Sequence, residues 1–107
     1  MTDIDALLEE ARTRAVNYGE LYGAKETADD HCKLTYAMLY ESAPAGTVGE
    51  RDSWVKRQQD YIDAVERKRD AFARWKAAET YMRLLMAEVD VYRTKEASKR
   101  WLDQVHT

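Results

Sequence analysis

Hydrophobic residues recur every three or four positions along most of the chain, which is the spacing of one face of an α-helix. The first run extends from Ile4 to Leu39. A second run lies between Asp52 and about Gln104, a stretch with neither proline nor glycine. At 1.5 Å per residue such a helix would be roughly 75–80 Å long, more than the width of a globular domain of this size. The pattern therefore predicts two long helices, the second of them very long.

One segment interrupts the pattern. Ser42–Arg51 contains the single proline, Pro44, and two glycines, residues that mark turns. We predict a helix over about 3–41, a loop over this segment and a helix over about 52–104. A loop of this length favours antiparallel packing of its two helices. The expected fold is a single all-α domain over 1–107, an antiparallel two-helix hairpin.

The hairpin has a predicted register. Centring the loop near residue 47 pairs positions whose numbers sum to about 94. The expected neighbours are Ile4 with Val89 or Asp90, Leu8 with Met86, Leu21 with Phe72, Cys32 with Ile62, and Leu39 with Val55. Apolar residues thus meet apolar residues almost throughout. Either Asp52 or Ser53 is expected to cap the second helix, since short polar side chains satisfy free backbone N–H groups there.

A row of small residues follows the first helix at intervals of four: Ala11, Ala15, Gly19 and Gly23. Glycine costs about 1 kcal/mol relative to alanine within a helix, so two glycines in one row need a reason. We predict close helix packing of Ala15, Gly19 and Gly23 near Trp75, which falls opposite Gly19. The alternative is a break of the first helix near Gly23.

The end of the second helix extends beyond the start of the first in this register. Its apolar residues have no partner within the hairpin, and exposed clusters of this kind mark binding surfaces. Basic residues surround them. We therefore predict a partner-binding surface made of Arg93, Lys99, Arg100, Trp101, Leu102 and Val105.

Further apolar residues, among them Tyr61, Ala64, Leu84 and Val91, lie off the main stripe of the second helix and form an outer set. A helix in a two-helix hairpin has one neighbour, which leaves this second set uncovered. We expect self-association, with a dimer that forms a helical bundle or coiled coil. A further, unidentified protein partner is expected at the carboxy-terminal surface.

The charges are unevenly distributed. The net charge is −3, but residues 1–50 hold 4 basic and 10 acidic residues, and residues 51–107 hold 13 and 10. This pattern predicts an acidic helix alongside a basic one. A nucleic-acid-binding strip on the second helix is the alternative.

No apolar run approaches the roughly 20 residues that span a bilayer, so no membrane segment is expected. The single Cys32 fits a reducing, cytoplasmic location.

No motif indicates catalysis, and we expect neither an enzyme nor a cofactor. The row from Asp29 to Cys32 contains ligand-type atoms, but neighbouring residues on a helix point in different directions, which argues against a metal site. Glu79 falls near the predicted core, where Arg14 or Arg83 is the expected partner. The interleaving of acidic and basic residues at helical spacing is typical of salt bridges on an exposed face.

The segment VDVYRTKEASKRW, residues Val89–Trp101, resembles the end of small helical bacteriophage proteins. In these proteins a long charged helix ends in an aspartate, an aromatic residue, Arg-Thr or Arg-Ser, and a polar-basic tail. The resemblance covers about thirty residues, from Trp75 onward. It implies a non-enzymatic phage accessory protein that modulates a host or phage protein complex through protein contacts, or one that binds nucleic acid during recombination.

The chain also resembles the secreted WXG-type hairpins in its size and two-helix form. Tyr92 and Glu96 match their Tyr-x-x-x-Asp/Glu export pattern. The defining Trp-x-Gly is absent from the turn, where Gly46 and Gly49 precede Trp54. This resemblance implies export that depends on Tyr92 and Glu96.

Overall fold

The computed structural model describes residues 4–105, and these residues form three helices. They are α1 (Ile4–Ser42), α2 (Val48–Lys56) and α3 (Gln59–Val105). α3 alone contains 47 residues. The predicted all-α, antiparallel hairpin with a very long last helix is therefore confirmed. The predicted start of the first helix at residue 3 lies outside the described residues.

α1 is continuous through both of its glycines. It runs for 39 residues without a break, and neither Gly19 nor Gly23 has a positive φ. The alternative of a break near Gly23 is therefore wrong. A penalty of about 1 kcal/mol per glycine is too small to interrupt a helix whose neighbouring residues favour the helical state and pack against a partner.

The irregular loop after α1 is shorter than predicted, because α2 begins inside the expected loop. Thr47 caps α2, accepting a hydrogen bond from the backbone N–H of Glu50 at 3.2 Å and donating one to its carboxylate at 3.1 Å. Thr-x-x-Glu is the residue pattern of a capping box. Asp52 and Ser53, the predicted caps, instead lie within α2.

The predicted helix over 52–104 is also interrupted, at Arg57 and Gln58. Their backbone N–H groups donate to the carbonyl oxygens of Trp54 at 3.2 Å and Val55 at 3.0 Å. These bonds span three residues and close a tighter turn than an α-helix allows. The side-chain amide of Gln58 adds a bond to the Trp54 carbonyl at 2.8 Å. No proline or glycine marks this break, so the sequence pattern did not indicate it.

The chain forms two compact units. The terminal unit consists of residues 4–19 and 77–105, and the turn unit consists of Glu20–Lys76. In both units α1 runs antiparallel to α3. The prediction of one domain over 1–107 stays a prediction.

The terminal unit has an aliphatic core. Leu7, Leu85 and Val89 are buried together, and Ile4 and Leu8 pack against them. The predicted neighbours Ile4 and Val89 therefore lie in one cluster. Burial of such side chains contributes about 1.5–3 kcal/mol each, which makes this cluster the main apolar attachment between the helices in this unit.

The turn unit is held by smaller buried residues and by polar contacts. Cys32, Val55 and Ala64 are buried. Asp29 pairs with Lys68 across α1 and α3, and the Tyr36 and Tyr61 rings are 5.7 Å apart. Both pairs lie about one helical turn further along α3 than the predicted register placed them.

The inward face of α3 follows a heptad spacing, the repeat of coiled coils. Ile62 and Phe72, predicted to face inward, are exposed, whereas Ala64, assigned to the outer set, is buried. Residues at the inward positions are mostly buried or half-buried, and we name this set the seam: Tyr61, Ala64, Lys68, Ala71, Trp75, Ala78, Met82, Leu85, Val89, Tyr92 and Glu96. The seam uses alanines in the turn unit, which is why a search for the largest hydrophobic residues misplaced it.

Candidate protein interface

More large apolar side chains are exposed than buried among the described residues. Six hydrophobic residues are buried, and fourteen large ones are exposed. Isolated exposed hydrophobic residues are ordinary, but contiguous ones mark interaction sites. Their arrangement on each helix therefore decides whether they form a surface.

One set is ordered along α3 in the terminal unit. We name it the outer stripe, and it consists of Leu84, Ala87, Val91, Thr94, Ser98, Trp101 and Val105. Successive members are three or four residues apart. At about 100° per residue they lie on the opposite side of α3 from the seam. All are exposed, Leu84 at 61% and Trp101 at 62%.

The predicted carboxy-terminal surface overlaps the outer stripe. Trp101, Leu102 and Val105 are exposed on this side of α3, as expected for residues beyond the aliphatic core. The basic residues are not gathered beside it: Arg93 and Arg100, seven residues apart, share one side of α3, whereas Lys99 follows Glu96 by three residues and so continues the line of the seam. The structure thus brings the apolar members together and separates the basic ones. The partner-binding role of all six stays a prediction.

A surface groove of about 640 Å³ borders the outer stripe. Leu7 of α1 lines it together with residues of α3, among them Leu84, Val91 and Tyr92. Glu88 and Lys95 also line it. Apolar surface therefore continues from the stripe into a concave region of the same unit.

Tyr92 and Glu96, the residues of the export pattern, both occupy seam positions. Each is half-buried. An interval of four residues is one of the two spacings of the seam itself, so this pair also follows from the packing of α3.

Among residues 4–105, the small residues of α1 do not make a close helix contact. Ala15, Gly19 and Gly23 are exposed, and a Cβ added at either glycine would meet nothing within 4 Å. A strict interval of four advances about 40° per step around a helix. The positions of α1 that face α3 recur at an average interval shorter than four residues. The row of small residues therefore turns gradually away from α3.

Trp75, the expected neighbour of these glycines, instead belongs to an aromatic cluster in the turn unit. Its ring centroid is 5.6 Å from that of Phe72 and 6.1 Å from that of Tyr22. The Lys25 ammonium lies 4.8 Å from its centroid, within the range of a cation–π contact. The predicted association of Trp75 with Gly19 and Gly23 is corrected accordingly.

A polar junction joins α1 to α2 in the turn unit. The Tyr36 hydroxyl donates to Asp52 Oδ1 at 2.5 Å, and Lys56 pairs with the same carboxylate at 3.0 Å. The hydrogen bond to Asp52 raises the pKa of Tyr36 to about 12, and the same bond, with Lys56, lowers the pKa of Asp52. Arg51 Nη2 also donates to the Tyr40 carbonyl at 2.6 Å.

Asp29 is engaged in ion pairs. Lys68 lies 3.0 Å and Lys33 3.1 Å from its oxygens, and hydrogen bonds from both lower the pKa of its carboxyl, with that of Lys68 the stronger cause. Cys32 is buried. Within residues 4–105 no group of three or more His, Cys, Asp and Glu side chains converges as a metal site would require.

The expected salt bridges are present on α3. Arg83 pairs with Glu79 at 3.0 Å, one of the two partners predicted for this glutamate, and Arg74 pairs with Asp70 at 3.2 Å. These basic side chains are thus partly neutralised by neighbours on their own helix. The acidic-to-basic pairing of the two long helices is represented by Asp29 and Lys68.

Comparisons of the chain with protein-family models, with characterised proteins and with solved structures return no match. None of the helices within residues 4–105 combines the length and the apolar character needed to cross a membrane. Any functional conclusion therefore depends on the surfaces described above.

Proposed function

We propose that this chain is a non-enzymatic helical interaction protein that self-associates and also binds a protein partner. The outer stripe of α3 is the observation that supports this proposal. On the side of α3 opposite the seam, it exposes four large apolar residues, which stand among Ala87, Thr94 and Ser98: Leu84, Val91, Trp101 and Val105. A helix with apolar residues on two opposite sides is typical of bundles, where it packs against neighbours on both sides.

The charges support protein contacts more than nucleic-acid contacts. Phosphate binding requires a positive surface without compensating acidic residues. On α3, Arg83 and Arg74 are paired with acidic neighbours, and the basic residues near the carboxy terminus stand on different sides of the helix. We further propose that the protein is a phage accessory protein, because its carboxy-terminal segment resembles small helical phage proteins. The single cysteine supports a cytoplasmic location.

The proposal is tested by the mass of the protein in solution. Light scattering coupled to size exclusion, over a hundredfold range of concentration, should give a mass above the 12.5 kDa of one chain. The thermal midpoint should rise with concentration, because association stabilises the folded state by mass action. A mass of one chain at every concentration would show that self-association is wrong.

A further inference from the structure

We infer that self-association occurs through the outer stripe, where α3 of a second copy packs antiparallel to α3 of the first. This inference rests on the proposed function and specifies its surface, its occupant and its register. The occupant follows from three features of the terminal unit: the heptad spacing of the stripe, its position opposite the seam, and the charges that flank it.

The spacing allows the stripe to pair with itself. Its members alternate at three and four residues, so they form the core positions of a coiled coil in the same way as the seam does. A two-fold axis places the same stripe of both copies face to face. In an antiparallel pair centred between Val91 and Thr94, Val91 faces Thr94 of the second copy.

The same register places large residues against large ones and small residues against small ones. Leu84 faces Trp101 of the second copy, and Ala87 faces Ser98. The groove beside Leu84 then lies next to the incoming indole. Trp101, exposed at 62% in the single chain, would become buried, and a buried tryptophan commonly dominates the energy of an interface.

Flanking charges select this register. Glu88 and Lys95 adjoin the stripe on its groove side, and among the described residues neither takes part in an ion pair. The antiparallel pair brings Glu88 of each copy close to Lys95 of the other, giving two symmetric ion pairs. A shift by one heptad brings either Glu88 near Glu88 or Lys95 near Lys95, and both arrangements are repulsive.

A parallel pair would use the charges differently. It would bring Arg83 near Glu88 of the second copy and Asp90 near Lys95. Arg83 is already held by Glu79 at 3.0 Å, so one of these contacts would compete with a bond within the chain. The antiparallel pair uses residues that have no such competing bond.

The first experiment locates the surface with two matched substitutions. Leu84 and Leu34 are both exposed leucines, at 61% and 59%, but Leu34 lies on α1 in the turn unit. Leu84→Lys should weaken dimerisation by about a hundredfold or more, because two buried leucines per dimer become lysines. Leu34→Lys should leave the dissociation constant within about threefold of the wild type. Far-ultraviolet circular dichroism should show helices in both variants.

The second experiment tests the register by charge reversal. Glu88→Lys or Lys95→Glu alone should weaken the dimer by roughly tenfold, because two attractive pairs become repulsive. The double variant should return close to the wild type, since it exchanges the two charges and preserves the pairs. A parallel dimer predicts the opposite, with the double variant the weakest of the three.

The outcomes separate this inference from the proposed function. If the wild type is a monomer, self-association and this interface are both wrong. If the wild type is a dimer that Leu84→Lys leaves intact, the interface is wrong and the proposed function stands. A dimer that is lost in Leu84→Lys but not rescued by the double reversal overturns the antiparallel register.

Discussion

In the terminal unit α1 meets α3 mainly through aliphatic side chains, whereas in the turn unit aromatic and charged side chains make many of the contacts. Leu7, Leu85 and Val89 form the first set. The second includes the ion pair of Asp29 with Lys68 and the contact between the Tyr36 and Tyr61 rings. The same pair of helices is therefore held by different physical interactions along its course.

Because their contacts differ, the two units should respond to different perturbations. Aliphatic burial is non-directional and has little dependence on pH, so the terminal unit should be most sensitive to lost volume. Polar contacts near the surface depend on protonation and on screening by salt. The turn unit should therefore be the more sensitive of the two to solution conditions.

The largest effect is expected from Leu85→Ala in the terminal unit. Leu85 is only 4% exposed, so the substitution removes buried surface and leaves a cavity. The free energy of unfolding should fall by about 2–4 kcal/mol. Urea unfolding at one fixed protein concentration measures this loss. Met86→Ala, at a neighbouring position that is 40% exposed, is the control, and equal losses in the two variants would contradict an aliphatic core here.

A smaller effect of opposite sign is expected from Gly19→Ala and Gly23→Ala, one in each unit. Both glycines have open space around them and lack a positive φ. Each variant should raise the free energy of unfolding by about 0.5–1 kcal/mol, because alanine favours the helix. Thermal unfolding followed by circular dichroism measures the gain. A loss at either position would show that the added methyl group meets a neighbour in the assembled protein.

The smallest effect is expected from Tyr36→Phe in the turn unit, and it should depend on pH. The pKa of Asp52 is lowered in the folded state, so its contribution is present above about pH 4 and is lost as the pH falls below that value. The pKa of Tyr36 is raised to about 12, so its contribution is complete below about pH 10 and is lost as the pH rises toward 12.

Thermal midpoints of the wild type and Tyr36→Phe should therefore differ most between about pH 4 and pH 10 and converge outside this range. Asp52→Asn tests the same hydrogen bond from the acceptor side, since it removes the carboxylate and keeps the Tyr36 hydroxyl. A constant difference between wild type and Tyr36→Phe from pH 6 to pH 12 would show that the hydrogen bond does not stabilise the turn unit.

The details of the turn were only partly readable from the sequence. Thr47 and Glu50 carry a capping-box pattern that places the start of α2, and this signal was available. The break at Arg57 and Gln58 was not, because it depends on two backbone bonds and on the Gln58 side chain rather than on a turn-forming residue. Local composition cannot show such a break.

The candidate interface could also be predicted in part from the sequence. Leu84 and Val91 were recognised as apolar residues off the main stripe, and their seven-residue spacing to Ser98 and Val105 could have identified an ordered row. Its position opposite the seam could not be known until the seam itself was located. Gly19 and Gly23 gave a false signal for the converse reason, since an interval of four suggested a contact that the path of α1 does not make.

The helical character of the chain, the end of α1 and the antiparallel course of the two long helices could be predicted from the sequence alone, because these properties depend on local spacing and on a proline-containing turn. Which side of α3 faces α1 depends instead on tertiary packing. Two apolar rows share this helix, and only packing against a partner selects the row with small residues, such as Ala64 and Ala71, that lets the helices approach. That selection placed Leu84, Val91 and Trp101 on the outside.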